Sequence, residues 1–225
     1  MPAPVRLIVF DVNETLSDMS PLRARFEEVG TPGYLAETWF AGVLRDGLAL
    51  TAAGGYASFQ AVAEAGLRAL LPGLDGWHGD LDHAVARILD GFGDLGVHPD
   101  IPDGMRQLHA AGLRLATLTN GSATTAERLL SRAGILDRFE AVLDVAAVRA
   151  WKPAAAAYRY ATEWLSADPA ETLQVAVHPW DIDGARRAGL QAAWLRRASP
   201  AYPHVMTAPT HTAQDLRELA GMLTS

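Results

Sequence analysis

The sequence predicts an α/β protein, a doubly wound parallel sheet with a helical cap inserted after its first strand. Three observations carry this. Beyond residue 101, short apolar runs alternate with helical patterns, the rhythm of a parallel sheet covered by helices on both faces. A strand-sized apolar run, Val5 to Phe10, stands alone near the start and ends in Asp11. Between the two lies a block of purely helical periodicity, Pro21 to about Gly96. The expected division is a core of residues 1–16 and 97–225 and a cap of residues 17–96.

Within the cap block, apolar spacing predicts helices over Tyr34–Leu50, Tyr56–Leu71 and Leu81–Leu95, punctuated by Gly54-Gly55 and Leu71-Pro72-Gly73. Val97 to Pro102 reads as the return linker. The alternating region predicts helix Pro102–Ala111, strand Leu113–Leu118, helix Thr124–Ala133 and strand Ala141–Val145. Helix Ala154–Leu165, strand Leu173–Val177, helix Ile182–Ala188 and strand Gln191–Leu195 follow. A last helix is expected to begin near Thr212, where Thr212 and Asp215 approximate a capping box.

Composition narrows the function classes. A formal charge of −7 over 225 residues opposes nucleic-acid binding, which calls for a basic face. With no cysteine, disulfides, thiol nucleophiles and thiolate metal sites are all excluded. The run Leu7 to Phe10 is far too short to span a bilayer, and the residues before it lack a signal peptide's apolar core. The expectation is a cytoplasmic protein with a small-molecule substrate and neither nucleic-acid nor membrane partners.

Ligands of a doubly wound sheet bind beyond the carboxyl ends of its strands. Asp11, Thr119 and Asp181 fall at the ends of the first, second and fourth strands, and Lys152 a short loop past the third. Each alone has an ordinary explanation: an Asp after a strand commonly caps a helix, and a loop Lys is commonly solvated. Together they suit covalent catalysis. A carboxylate can form an ester intermediate, a nearby ammonium keeps it ionised, and a second carboxylate can direct water to the ester. Thr15, Thr119 and Asn120 add short polar groups able to position substrate. Asp183 lies close enough to Asp181 that either could be the helix-capping residue.

These residues fall into a known order. Phe10-Asp11-Val12-Asn13-Glu14-Thr15-Leu16 resembles the first motif of the haloacid dehalogenase superfamily. Leu118-Thr119-Asn120-Gly121-Ser122 resembles the second, Lys152-Pro153 the third, and Trp180-Asp181-Ile182-Asp183-Gly184-Ala185 the fourth. Tyr158, Trp39 and Phe59-Gln60 make the chain most similar to the type II 2-haloacid dehalogenases. The resemblance implies a Rossmann-like core and a nucleophile, Asp11, supported by Thr15, Lys152 and Asp181. It places Asn13, Phe40, Thr119, Asn120, Tyr158, His178 and Trp180 around the substrate. It implies no metal and no cofactor, and, since relatives are often dimers, a homodimer as a further expectation. The implied reaction is attack of Asp11 on a carbon–halogen bond, then hydrolysis of the aspartyl ester.

The chain departs from the pattern at several positions. Asn13 stands where superfamily phosphatases carry an acid that protonates the leaving alkoxide, and Val177 where they usually keep an acidic metal ligand. Both changes favour a halide leaving group, which needs no proton. Glu14 is adjacent, but its position is expected to point it elsewhere. Phe40 stands where the dehalogenases usually have an arginine that holds halide and carboxylate; Arg23, Arg25 and Arg45 are the candidates to replace it. Ala176 and His178 replace a usual serine and asparagine, and His178 could donate to a leaving group or act as a base. His78, His83, His98, His109, His204 and His211 show no metal spacing, and solvent exposure accounts for them. An atypical phosphatase, a hydrolase of another carbon electrophile and a non-catalytic protein are the alternatives.

Overall fold

A computed structural model describes residues 3–197 and 201–224. Six parallel strands form one sheet in the order β3-β2-β1-β4-β5-β6: β1 Leu7–Phe10, β2 Arg114–Thr119, β3 Ala141–Asp144, β4 Thr172–Ala176, β5 Gln191–Leu195 and β6 His211–Ala213. The chain grows outward from β1 through β2 to β3, then crosses to the other side of β1 for β4. That reversal opens a crevice above β1 and β4, where such sheets bind ligands.

Alternation along the strands divides the core. Ile8, Phe10, Leu115, Leu173, Val175, Ala193 and Leu195 face helices α5 (Ile101–Ala110), α6 (Ala123–Arg132) and α9 (Leu216–Thr224). Leu7, Val9, Ala116, Leu118, Ala192 and Trp194 face α7 (Ala155–Trp164) and α8 (Pro179–Arg187). Both faces are dry, as a parallel sheet requires.

Four helices lie between β1 and α5: α1 Leu22–Glu28, α2 Leu35–Ala52, α3 Phe59–Leu70 and α4 Leu81–Gly93. The Ser58 hydroxyl caps α3 by accepting from the Ala61 amide, and the Asp80 carboxylate caps α4 through the His83 amide. The chain leaves the sheet and returns at one place, where Ser17 and Val97 form an antiparallel bridge. Asp18 N–H donates to the Gly96 carbonyl and His98 N–H to the Leu16 carbonyl beside it.

Trp151 links the helical layer to the sheet. Its indole N–H donates to the Ala57 carbonyl and its backbone N–H to the Thr51 hydroxyl, at 3.0 and 3.1 Å. The ring stacks on Phe59 and lies flat on Gly47 of α2, where any Cβ would collide with it. Lys152 is the next residue in the chain.

Element boundaries mostly fall within a few residues of expectation, with one correction at the end. Thr212 lies in β6, not at a helix start; the final helix begins at Leu216, and Asp215 is its cap, accepting from the Glu218 amide. The three-residue strand β6 was not foreseen.

Candidate active site

The site is built where β1 and β4 end. Asp11 N–H continues the ladder by donating to the Val175 carbonyl, which fixes the carboxylate at the mouth of the crevice. The chain then turns tightly: Leu16 and Ser17 N–H both donate to the Val12 carbonyl. Inside this turn Thr15 accepts from the Val177 amide at 3.1 Å and donates to Asp11 Oδ2 at 2.7 Å. Val177, in the place of an acid, therefore contributes its backbone N–H to orienting the nucleophile through Thr15.

Lys152 is fully buried, with its ammonium 2.9 Å from Asp11 Oδ1 and 2.6 Å from Asp181 Oδ2. Asp181 is also completely buried and sits in the first turn of α8, which Pro179 starts. Its second oxygen accepts from the Tyr158 hydroxyl at 2.6 Å, and Gln174 of β4 donates to its Oδ2 at 3.1 Å. Gly184 lets α8 approach so closely, since a Cβ there would strike Pro153 and the Tyr158 hydroxyl.

The two carboxylates share one ammonium and respond differently. Burial alone would raise the Asp11 carboxyl, but the charge of Lys152, then His178 and Thr15, hold it well below the usual carboxylate range. Burial raises Asp181; the Lys152 charge opposes this, while the negative charge of Asp11 adds to it. Lys152 is penalised by burial, but Asp11 and Asp181 together keep its pKa above the ordinary lysine value. Asp11 is thus the anion and Asp181 the group more ready to accept a proton, the separation expected of a nucleophile and a base.

His178 closes the site over Asp11. Burial disfavours its charge, yet hydrogen bonds to Asp11 and Glu14 push its pKa up to about 9. Its ring stacks on Trp180, with centroids 4.9 Å apart.

A cleft of about 510 Å³ runs between α3, α4 and the sheet. Asn13, Thr119, Gly121 and Ser122 line its sheet side, and Phe59 and Phe92 its side toward α3 and α4. Three arginines border it. Arg87 is paired with Glu28 and Arg132 with Asp94, whereas Arg128 has no carboxylate partner among the described residues. Arg128 instead leans toward Thr125, whose hydroxyl accepts from Ser122 at the start of α6.

The structure brings Asp11, Thr15, Lys152, His178 and Asp181 together, places Asn13 and Thr119 on the cleft, and relocates several residues expected around the substrate. Phe40 is not on the cleft. It is buried in the helical layer among Phe59 and Phe92, because its position on α2 faces α3 and α4. Tyr158 is wholly buried beneath Asp181. Asn120 grips the backbone of Lys152, and Trp180 supports His178. Thr119 spends its hydroxyl on the Gly121 amide. Asp183 lies outside the cluster, bound to Arg187 and to the Thr207 amide.

Arg23, Arg25 and Arg45, the candidates for the arginine absent at Phe40, lie away from the cleft. They are paired with Glu37, Glu28 and Asp46 on the surface. His98 is not merely solvated, for its Nε2 lies 3.0 Å from the Glu14 carbonyl. Glu14, expected to point elsewhere, instead turns its carboxylate to His178, because its backbone is left-handed; Gln174, Trp151 and Arg128 were missed. Only Gln174 carried a signal, as an amide in the otherwise apolar run of β4.

Comparison with known proteins identifies the fold and the family. The family model for a hydrolase, "haloacid dehalogenase-like hydrolase", matches residues 5–189. An (S)-2-haloacid dehalogenase of Pseudomonas sp. strain YL is 29% identical over 95% of this chain and 92% of its own. Another, from Xanthobacter autotrophicus, is 30% identical over 87% of this chain and 76% of its own. A structure of L-2-haloacid dehalogenase from Xanthobacter autotrophicus with chloropropionic acid covalently bound superposes with a TM-score of 0.88. It is 25% identical and covers 97% of this chain and 98% of its own. The chain belongs to the haloacid dehalogenase-like hydrolases.

Proposed function

We propose that this chain hydrolyses the carbon–halogen bond of a small 2-haloacid through an ester on Asp11. The observation that carries the reading is the ion triad: a carboxylate at the end of β1, kept ionised by a buried lysine that a second, more basic carboxylate shares. Among the described residues, Asp11 Oδ2 accepts two hydrogen bonds, from Thr15 and His178, and Oδ1 only the one from Lys152. Oδ1 therefore keeps the freer lone pair and attacks the carbon; the carbon–halogen bond breaks and halide leaves without needing a proton. Water then attacks the ester carbonyl, with Asp181 taking its proton. The carbon–Oδ1 bond stays intact, so the hydroxy acid leaves carrying Oδ1, and Lys152, already bonded to that oxygen, supplies the proton it needs.

The same reading gives the substrate carboxylate to Arg128, the cleft arginine with no carboxylate partner among the described residues, in place of an arginine at Phe40. It also takes residues 17–96 as a cap and the rest as core, which the crossing at Ser17 and Val97 supports. The bacterial relatives support a bacterial source. Among the described residues, no helix is long and apolar enough to cross a membrane.

The test is halide release from chloro-, bromo- and fluoroacetate and both 2-chloropropionate enantiomers in EDTA, beside phosphate release with and without Mg²⁺. Halide release that Asp11→Asn abolishes while the protein stays folded is the expected result. Magnesium-stimulated phosphate release without halide would overturn the reading in favour of a phosphatase.

A further inference from the structure

Glu14 holds an unusual position. It sits in the turn after Asp11 with φ of 61°, a left-handed conformation that is unfavourable for a residue with a side chain. Three groups hold it there. Its N–H donates to the Ser17 hydroxyl at 3.2 Å, its carbonyl meets His98 Nε2 at 3.0 Å, and its carboxylate lies 2.8 Å from His178 Nε2. The opposite ring nitrogen, Nδ1, lies 3.1 Å from Asp11 Oδ2. Carboxylate, imidazole and nucleophile therefore stand in line, with the imidazole between two acceptors.

An imidazole between two carboxylates can satisfy both only when both ring nitrogens carry protons. Glu14 and Asp11 supply the negative charge from the turn after β1. The other charged groups around the ring are Lys152, which reaches it only through Asp11, and Asp181, which is occupied by Lys152, Tyr158 and Gln174. Trp180 covers the ring face.

We infer that His178, held as an imidazolium by Glu14, is the oxyanion donor of the ester-hydrolysis step, so that the pair serves the second half of the reaction. The inference rests on the proposed function and follows from which oxygen is alkylated. With carbon on Oδ1, Oδ2 becomes the ester carbonyl oxygen. When water adds to the carbonyl carbon, Asp181 takes one proton and the π pair moves onto Oδ2. The Nδ1–H of His178 and the Thr15 hydroxyl already point there, as such donors must. Collapse expels the product oxygen, Oδ1, which takes a proton from Lys152; Asp181 returns one to Lys152. Asp11 is left as the acid and releases its proton to solvent. His178 keeps both its protons throughout. In the first step the same imidazolium only draws charge from the nucleophile, so that step does not need it.

The test uses the intact enzyme and bromoacetate. In His178→Gln, rapid quenching is expected to show one bromide per active site, followed by turnover lowered about 10²- to 10³-fold, the usual loss of one oxyanion donor. Mass spectrometry should find the ester on the peptide carrying Asp11. Loss of the burst in step with turnover would overturn the inference. A second measurement needs no turnover: nitrogen-15 NMR of the His178 ring. It should stay doubly protonated well above neutral pH in the wild-type protein and lose its proton at markedly lower pH in Glu14→Gln. A wild-type ring that titrates near neutrality, or one indifferent to Glu14→Gln, overturns it. Absence of halide release from the wild-type enzyme would sink the dehalogenase reading, and the ring titration would still decide the pair.

Discussion

Asn120 holds the backbone of Lys152 from both sides. Its side-chain oxygen accepts from the Lys152 amide at 2.8 Å, and its side-chain N–H donates to the Lys152 carbonyl at 3.1 Å. An amide side chain at the end of β2 thus does for the loop after β3 what a neighbouring strand would do, and the ammonium arrives between two carboxylates already placed.

Asn120→Ala strips both partners from buried backbone groups. Each unsatisfied group costs about 1–3 kcal/mol, so chemical denaturation should show a loss of that order. Steady-state kinetics should show a fall in kcat larger than any rise in KM. Wild-type kcat in a folded Asn120→Ala protein would contradict the assigned role.

Removing the charge itself costs more. Lys152→Met leaves two buried carboxylates facing each other, and breaking a buried ion pair typically costs about 3–5 kcal/mol. The penalty should shrink in acid. The depressed Asp11 carboxyl stabilises the wild-type fold above about pH 4, and that contribution is lost as pH falls further. Denaturation of both proteins across pH 3 to 7 checks this, and a gap that widens in acid would contradict it.

Tyr158 donates to Asp181 and so stabilises its ionised form. Tyr158→Phe deletes that bond and raises the Asp181 carboxyl further. The acidic limb of the kcat profile, where the base is protonated, should move to higher pH. A profile that only scales down, without shifting, would mean that Asp181 is not the base.

Arg128→Ala should act on binding. A charge-assisted hydrogen bond contributes about 1.5–3 kcal/mol, so KM for a haloacid should rise on the order of tenfold to a hundredfold with kcat little changed. Arg87→Ala, which removes a cleft cation already paired with Glu28, is the control expected to leave KM near its wild-type value.

Much of this was legible before any coordinates. The alternating strands and helices, the isolated first strand and the polar residues at strand ends are local patterns, and local patterns survive in sequence. Other features depend on geometry that no short window contains. Glu14 reaches His178 only because its backbone turns left-handed, held by Ser17 and His98 from either side of the Ser17–Val97 bridge. Phe40 faces inward because of how α2 rotates against α3 and α4. Arg128 stands out only once Arg87 and Arg132 are seen to be paired, with Glu28 and Asp94. β6 has three residues and follows a proline-punctuated stretch, too short to rise above its surroundings.

The indole of Trp151 on Gly47 has a consequence for how this protein can change over generations. The residue beside the Lys152 ammonium is locked onto α2, so mutations that repack that contact should also disturb the placing of Lys152 between Asp11 and Asp181. Among the described residues, the rim formed by α4 and the start of α6 makes no contact of this kind with Trp151, whereas α3 meets it through Phe59. New substrates should therefore be acquired by drift along that rim, with Gly47 and Trp151 as the fixed pair.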